Sequence, residues 1–261
     1  MDDAEIKEMV RTRYGGIASA TEAECCTPAS SCCGPAATPQ EKARRMGYSE
    51  AELAAIPEGA NLGLGCGNPQ AIAAMQPGEI VVDLGSGAGF DCFLAARQVG
   101  AAGYVIGVDM THEMLKKARD NAVRIGAGNV EFRLGELEHL PVGDNTADVV
   151  ISNCVINLVP DKEQVFREAF RVLKPGGRLA VSDVVNTDPL PPELLSDPAL
   201  LCGCVAGAAP AERIENWLAS VGFVDISVTP KPDSRELIQT WAPGRNIEHH
   251  IVSAMVEARK P

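Results

Sequence analysis

"VVDLGSGAGFD", residues 81–91, decides the fold. Its first four residues read as the end of a buried strand. The chain then passes glycines at 85, 87 and 89 and enters the apolar helical pattern "GFDCFLAA". Glycines directly after a strand allow a tight turn and let the backbone approach a ligand where a Cβ would collide. A second strand, "YVIGVD" (104–109), ends in Asp109, 24 positions after Gly85, where a carboxylate can bind both hydroxyls of a ribose. Strand, glycines, helix, strand and acid in that order predict a nucleoside pocket. The plain alternative is a tight turn with Asp109 only capping the next helix.

The same grammar extends outward. "EIVVDL" (79–84), "VEFRL" (130–134), "ADVVISN" (147–153) and "RLAVSDV" (178–184) are short apolar or alternating runs with helical patterns between most of them. Thr111 caps a helix carrying Met114, Leu115, Ala118 and Ala122. Asp161 caps another carrying Val165, Phe166, Ala169, Val172 and Leu173, closed by "KPGG". Strand and helix in alternation predict a doubly wound parallel α/β sheet.

Upstream, residues 2–14 carry a helical pattern, and 15–37 are a loop rich in Gly, Ala, Ser, Thr, Pro and Cys without periodicity. "TPQE" (38–41) and "SEAE" (49–52) are capping boxes that start two short helices. Downstream, a helix at about 210–221 and strands at 223–229 and 249–258 finish the sheet. The expected division is 1–75 for N-terminal helices and a Cys-rich loop, 76–186 for the core, and 187–261 for an insert and the last strands.

Composition narrows the function. Lys and Arg total 23 against 35 Asp and Glu, a net charge of −12, which excludes a nucleic-acid partner and disfavours acidic membrane surfaces. The start "MDDAEIKEMV" lacks a signal-peptide layout, and no apolar run is long enough to span a bilayer. A cytoplasmic location follows as the expectation. Thiols stay reduced there, so nine cysteines point to ligands or redox groups rather than a disulfide framework.

Three of the nine stand at telling places. Cys154, in "ISNCVINLVPDK" (151–162), falls at the carboxyl edge of the sheet, where open α/β sheets bind ligands. Cys66, in "NLGLGCGNPQ", directly precedes a helix start with Asn68 as cap and Pro69 as first residue, a setting that favours thiolate. Cys204, in "LLCGCVAGA", lies in the insert after the sheet's fifth strand. Three thiolates without an obvious fourth ligand suit a trivalent thiophilic ion better than zinc, which prefers tetrahedral closure. Trivalent arsenic takes three sulfurs and keeps a lone pair. Cys92 reads as a buried small hydrophobe, Cys202 as a bystander, and His139, His249 and His250 as surface or polar-edge residues.

The spacing G-x-G-x-G preceded by Asp83, with "LKPGG" at 173–177, resembles the class I S-adenosylmethionine-dependent methyltransferases. That resemblance implies a Rossmann-like sheet of seven strands, the last antiparallel. It implies that Gly85, Ser86, Gly87 and Gly89 hold the methionine part of the cofactor. Asp109 would hold the ribose, with Met110, Glu136 and Leu137 around the adenine, and Asp83 and Asn153 completing the pocket.

"LGLGCGNP", "DLGSGAGFDCFLAA", "GVDMTHEML", "ISNCVINLVPDK" and "GCVAGA" further resemble the arsenite S-adenosylmethionine methyltransferases, over roughly residues 60–210. The resemblance implies that Cys66, Cys154 and Cys204 hold arsenic, that Tyr14 closes over the cofactor, and that arsenite and methylarsenite arrive as thiol complexes. It also implies a turnover disulfide between Cys66 and Cys26 or Cys25, restored by thioredoxin or a small thiol; a monomer is expected. The second pair, Cys32–Cys33, departs from the family pattern and leaves that partner open. Two other classes fit parts of the sequence: a methyltransferase of an organic molecule, and a non-enzymatic thiol-based metalloid binder.

Overall fold

The computed structural model describes residues 1–20 and 37–261; Cys25, Cys26, Cys32 and Cys33 lie outside the described residues. Strands β1 (Ile80–Leu84), β2 (Tyr104–Asp109), β3 (Val130–Leu134), β4 (Ala147–Asn153) and β5 (Leu173–Asn186) are joined in parallel. A two-residue β6 (Ala209–Pro210), then β7 (Val224–Lys231) and β8 (Ile251–Arg259), complete one sheet. Its order is β3-β2-β1-β4-β5-β8-β7, with β6 beside β5, so a short eighth strand joins the seven expected. The last strand, β8, runs antiparallel to both of its neighbours.

Helices α1 (Asp3–Ser19), α2 (Pro39–Arg45), α3 (Glu50–Ala55) and the single turn α4 (Gln70–Ala73) precede the sheet. α5 (Phe90–Val99), α6 (His112–Ile125) and α7 (Lys162–Val172) connect its parallel strands. α8 (Pro192–Leu195), α9 (Pro198–Leu201), α10 (Ala211–Val221) and α11 (Arg235–Ile238) follow β5.

Both faces of the sheet are covered, which is why its strands read as nearly continuous apolar runs. Val82, Leu84, Val108, Val150 and Val181 pack with α7 and α10 residues such as Phe166, Ala169 and Leu218. Val81, Val105, Val149 and Ile151 pack on the other side with Phe93, Ala95 and Leu115 of α5 and α6. A third cluster caps the sheet's carboxyl edge. It joins Val10 of α1, Leu194, Leu200 and Val205 of the insert, Ile238 of α11, and Cys66, Cys154, Cys202 and Cys204.

Three expectations shift. α1 runs on to Ser19 rather than stopping at 14. Its two glycines cost roughly 1 kcal/mol each in helix propensity, but Gly15 sits against the Glu113 side chain of α6, and that packing holds the last turn. "KPGG" does not close α7: Leu173 already pairs with Ala147 as strand, and the register slips before Arg178 pairs with Val149. The helix after Cys66 is only the four-residue α4, which starts past Pro69, with the Asn68 side chain accepting the Gln70 N–H at 3.0 Å. A single turn sums far fewer peptide dipoles than a full helix.

Candidate active site

The glycine turn after β1 opens a cavity at the carboxyl edge of the sheet. Gly85 adopts φ +74°, and a Cβ there would lie 2.5 Å from the Val155 side chain, so no other residue fits this turn. Asp83, Gly85, Ser86 and Gly87 line the cavity, as do Asp109, Met110, Leu137 and Asn153, with Tyr14 contributed by α1. Gly89 instead serves as the left-handed N-cap of α5. Glu136 is outside the cavity wall: Lys7 of α1 pairs with it at 2.6 Å, and Arg11 approaches at 3.6 Å. Glu138, two residues on, is the acid that lines the cavity, buried and 3.0 Å from Lys7.

Asp109 holds the turn together. One carboxylate oxygen accepts the Gly87 N–H at 2.9 Å and the other the Thr111 N–H at 2.8 Å. Burial raises its pKa, and these backbone bonds draw it back in part. Thr111 occupies the N-cap of α6 but its side chain makes no capping bond.

Acids dominate the wall. Asp83, Asp91 and Glu138 are buried beside Asp109, and Lys7 is the only lysine or arginine among the described lining residues. Burial first, then repulsion from Asp91, pushes the Asp83 carboxyl well above the usual range. The thiol of Cys92, fully buried as expected, donates to Asp83 at 3.1 Å. The Ser86 hydroxyl is buried without a hydrogen-bond partner among the described residues. Such a pocket suits a ligand that brings its own positive charge and its own hydrogen-bonding groups. S-adenosylmethionine, with a sulfonium, an ammonium and two ribose hydroxyls, fits.

A hydrogen-bonded hub ties this pocket to the Cys66 loop. The Asn153 amide donates to Asp91 at 3.1 Å, Tyr48 at 3.0 Å and the Gly67 carbonyl at 2.9 Å, while its oxygen accepts the Cys66 N–H at 3.1 Å. Gly67 packs so closely on Ser182 that a Cβ would overlap the hydroxyl.

Cys66 and Cys154 lie together with Asp183, each sulfur and a carboxylate oxygen within 4.8 Å of one another. The Cys204 thiol donates to the Cys154 carbonyl at 2.9 Å. All three cysteines are buried and free. Hydrogen bonding to Cys204 and Cys66, reinforced by burial, pushes the Cys154 thiol well above its ordinary pKa. The bond with Cys154 pulls the Cys204 thiol down, but burial leaves it raised overall. Cys154 and Cys204 both hold positive φ, +57° and +64°, a conformation that costs on the order of 1–2 kcal/mol for residues other than glycine.

Asp183 was not legible as a site residue. It accepts the N–H groups of Ile156 (3.0 Å), Asn157 (3.3 Å) and Val184 (2.8 Å) and the Asn157 amide (2.9 Å). These four bonds occupy its lone pairs, so it anchors the turn after Cys154 instead of offering a fourth ligand. The cluster then keeps the sulfurs of Cys66 and Cys154, with the Cys204 thiol held beside them on the Cys154 carbonyl.

The strand order, the glycine turn and the acid-lined cavity define a class I S-adenosylmethionine-dependent methyltransferase. A family model described as a methyltransferase domain matches residues 75–222. An arsenite methyltransferase of Halobacterium salinarum is 51% identical over 267 residues, covering 100% of this chain and 68% of that protein. One from Aquipseudomonas alcaligenes is 46% identical over 62% of this chain and 48% of its own length, so the match spans about half of that relative. The crystal structure of an arsenic(III) S-adenosylmethionine methyltransferase from Chlamydomonas reinhardtii superposes with a TM-score of 0.63. It is 32% identical, over 87% of this chain and 75% of that one. The chain belongs to the arsenite methyltransferase family.

Asp109→Ala should weaken S-adenosylmethionine binding on the order of 1.5–3 kcal/mol, the scale of charge-assisted hydrogen bonds. Arsenite affinity should stay within a few-fold. Calorimetry with each ligand tests this, and an unchanged cofactor affinity would remove Asp109 from the pocket's working parts.

Proposed function

We propose that this chain methylates trivalent arsenic held by Cys66, Cys154 and Cys204. The observation that carries the reading is that Cys66 and Cys154 meet at the sheet edge with Cys204 bonded to the Cys154 carbonyl, all three buried and free, and that Cys154 also lines the acid-walled cavity. S-adenosylmethionine, when bound there, supplies an electrophilic methyl group. Asp109, Asp83 and the glycine turn orient the donor. The three thiols place the arsenic lone pair toward it, so the acceptor has no proton to lose and no general base is required. Catalysis is then proximity and orientation.

Arsenite and methylarsenite enter as thiol complexes by exchange. A sulfur–arsenic bond to the carrier breaks, one to a cysteine forms, and the cysteine proton leaves on the carrier thiol. Protons are conserved, which suits Cys154 and Cys204, whose thiols are held above their ordinary range. Methyl transfer leaves arsenic pentavalent. Two electrons from Cys66 and a second thiol, Cys26 or Cys25, would return it to the trivalent state with a disulfide formed, and thioredoxin or a small thiol would reopen that bond. Among the described residues no helix is long and apolar enough to cross a membrane. A cytoplasmic setting, where thiols stay reduced, suits this chemistry.

The test is to incubate the protein with S-adenosylmethionine, arsenite and a thiol and to separate the arsenic species by chromatography. Methylated arsenic is the expected product, and its absence with a folded, cofactor-binding protein would end the proposal. Cys202→Ser should retain methylation. Cys202 meets Tyr14 only through its carbonyl, which accepts the hydroxyl at 3.2 Å. Its cost should be limited to about 1 kcal/mol of stability from a buried hydroxyl. Loss of arsenite binding in this variant would shift the third ligand from Cys204 to Cys202.

A further inference from the structure

Cys66 reaches the sulfur cluster on a loop that precedes the sheet and lies flat against its strand ends. A Cβ on Gly65 would come within 2.8 Å of the Asn153 amide, and one on Gly67 within 2.1 Å of the Ser182 hydroxyl. Neither glycine has a positive φ, so close approach alone requires them. Three contacts then hold Cys66. Its N–H donates to the Asn153 side-chain oxygen at 3.1 Å, its carbonyl accepts the Ser253 hydroxyl at 2.8 Å, and its thiol lies 3.6 Å from the Ser182 carbonyl. Asn153 also lines the cofactor cavity, whereas Ser253 lines only a separate cleft that it shares with Cys66. Ser253 is a buried hydroxyl in an otherwise apolar stretch of β8, with Ile251, Val252, Ala254 and Met255 around it in sequence. Its N–H is satisfied by the Ser234 hydroxyl at 2.8 Å, and the strand pairs on both sides, with Val184 and Lys231 opposite. The strand therefore does not need the Ser253 hydroxyl; the Cys66 loop does. Cys154 and Cys204 are framed without it. The Cys154 N–H donates to the Ser182 carbonyl at 2.8 Å, and Cys204 donates to the Cys154 carbonyl.

We infer that Ser253 is a positioning residue that fixes Cys66 as the third arsenic ligand, and that it acts on arsenite and not on methylarsenite. The inference rests on the proposed arsenic site. An arsenic with no methyl group takes three sulfurs, and the third must come from Cys66. A monomethylated one takes two, which Cys154 and Cys204 supply from a frame that Ser253 does not touch. Without the hydroxyl, the Cys66 carbonyl still faces a cleft where water can reach it, so the fold loses little. The loop, however, keeps only one of the two hydrogen bonds to its Cys66 backbone, and the sulfur ranges more widely. Forming the third sulfur–arsenic bond then has to restore that order, an entropic cost the other two bonds do not carry.

Ser253→Ala should raise the arsenite KM about tenfold, the scale of one lost hydrogen bond, and leave the methylarsenite KM and the S-adenosylmethionine affinity within about twofold. An unchanged arsenite KM, or an equal rise for both arsenic species, would overturn the inference, since a merely structural role would damage both. Ser253→Thr and Ser253→Val form a second, isosteric pair that separates the hydroxyl from any crowding by the added carbons. The threonine variant should stay closer to wild type for arsenite than the valine variant, and equal losses would count against the hydroxyl. A readout free of arsenic uses iodoacetamide, with the labelled cysteines located by mass spectrometry. In Ser253→Ala, Cys66 should be alkylated several-fold faster than in the wild type, with the Cys154 rate unchanged. Equal Cys66 rates in the two proteins would overturn the inference. If the wild type methylates neither arsenic species while Cys66 alkylation still quickens in the variant, the arsenic reading fails and the hold of Ser253 on Cys66 stands.

Discussion

Cys154→Ser should abolish methylation of both arsenite and methylarsenite, by a factor on the order of 10² or more, while S-adenosylmethionine affinity stays near wild type. Serine keeps the shape and the positive-φ backbone held by the Asp183 turn, but its hydroxyl forms no durable bond to a thiophilic ion. Cys66 and Cys204 then offer two sulfurs at most. An arsenic with no methyl group needs three and a monomethylated one needs two, and neither would remain aimed at the cavity, because Cys154 is the cysteine that lines both the cluster and the cofactor wall. Misplacement of a reacting atom by about 1 Å already costs on the order of 10²-fold. Chromatography of the arsenic products, with circular dichroism confirming the fold, checks the result. Wild-type rates with both species would make Cys154 a loop hydrophobe. A companion variant separates roles: Cys26→Ser, with Cys25→Ser if needed, should lose arsenite turnover and keep that of methylarsenite.

Local sequence carries the framework well because each strand and helix announces itself by its own period. The apolar stripe of α6, the capping boxes of α2 and α3, and the acid at the end of β2 need no distant partner to be recognised. The three thiols were legible because each sits in a loop phrase at the sheet edge. What stayed hidden depends on partners far apart in the chain. Glu136 and Glu138 share one loop and both pair with Lys7 of α1, and only the way that loop packs buries Glu138 in the cavity wall and leaves Glu136 outside it. Asn153 is a strand end until Tyr48, Asp91 and the Cys66 loop meet it. A usable signal did exist for two residues: Asp91 inside "GFDCFLAA" and Asp183 inside "RLAVSDV" are acids in otherwise apolar elements, and a buried acid demands a partner.

Asp183→Asn should cost about 2–6 kcal/mol of folding stability and raise the arsenite KM at least tenfold, with cofactor affinity changed far less. The carboxylate accepts four N–H bonds, two on each oxygen. An asparagine amide keeps one accepting oxygen and turns an NH₂ group toward the other two donors. Each orphaned buried donor costs about 1–3 kcal/mol. The turn that loosens is the one that sets Cys154, so the damage should read out at the arsenic site before the glycine turn across the sheet.

The same residue gives a pH signature. Burial raises its pKa to about 6, and the N–H bonds only partly oppose that. Its folded pKa therefore lies above its unfolded one, and between roughly pH 4 and 6 the folded state holds a proton that the unfolded state has released. Stability from this group is greatest at low pH and falls as pH rises through 6. From pH 5.5 to 7.5 the loss should be on the order of 1 kcal/mol, a dependence the asparagine variant lacks. Urea denaturation of both proteins at the two pH values should show the stability gap between them narrowing at pH 7.5. A gap that widened instead would mean the four donors hold Asp183 ionised against its burial, and that the turn under Cys154 rests on a permanent charge.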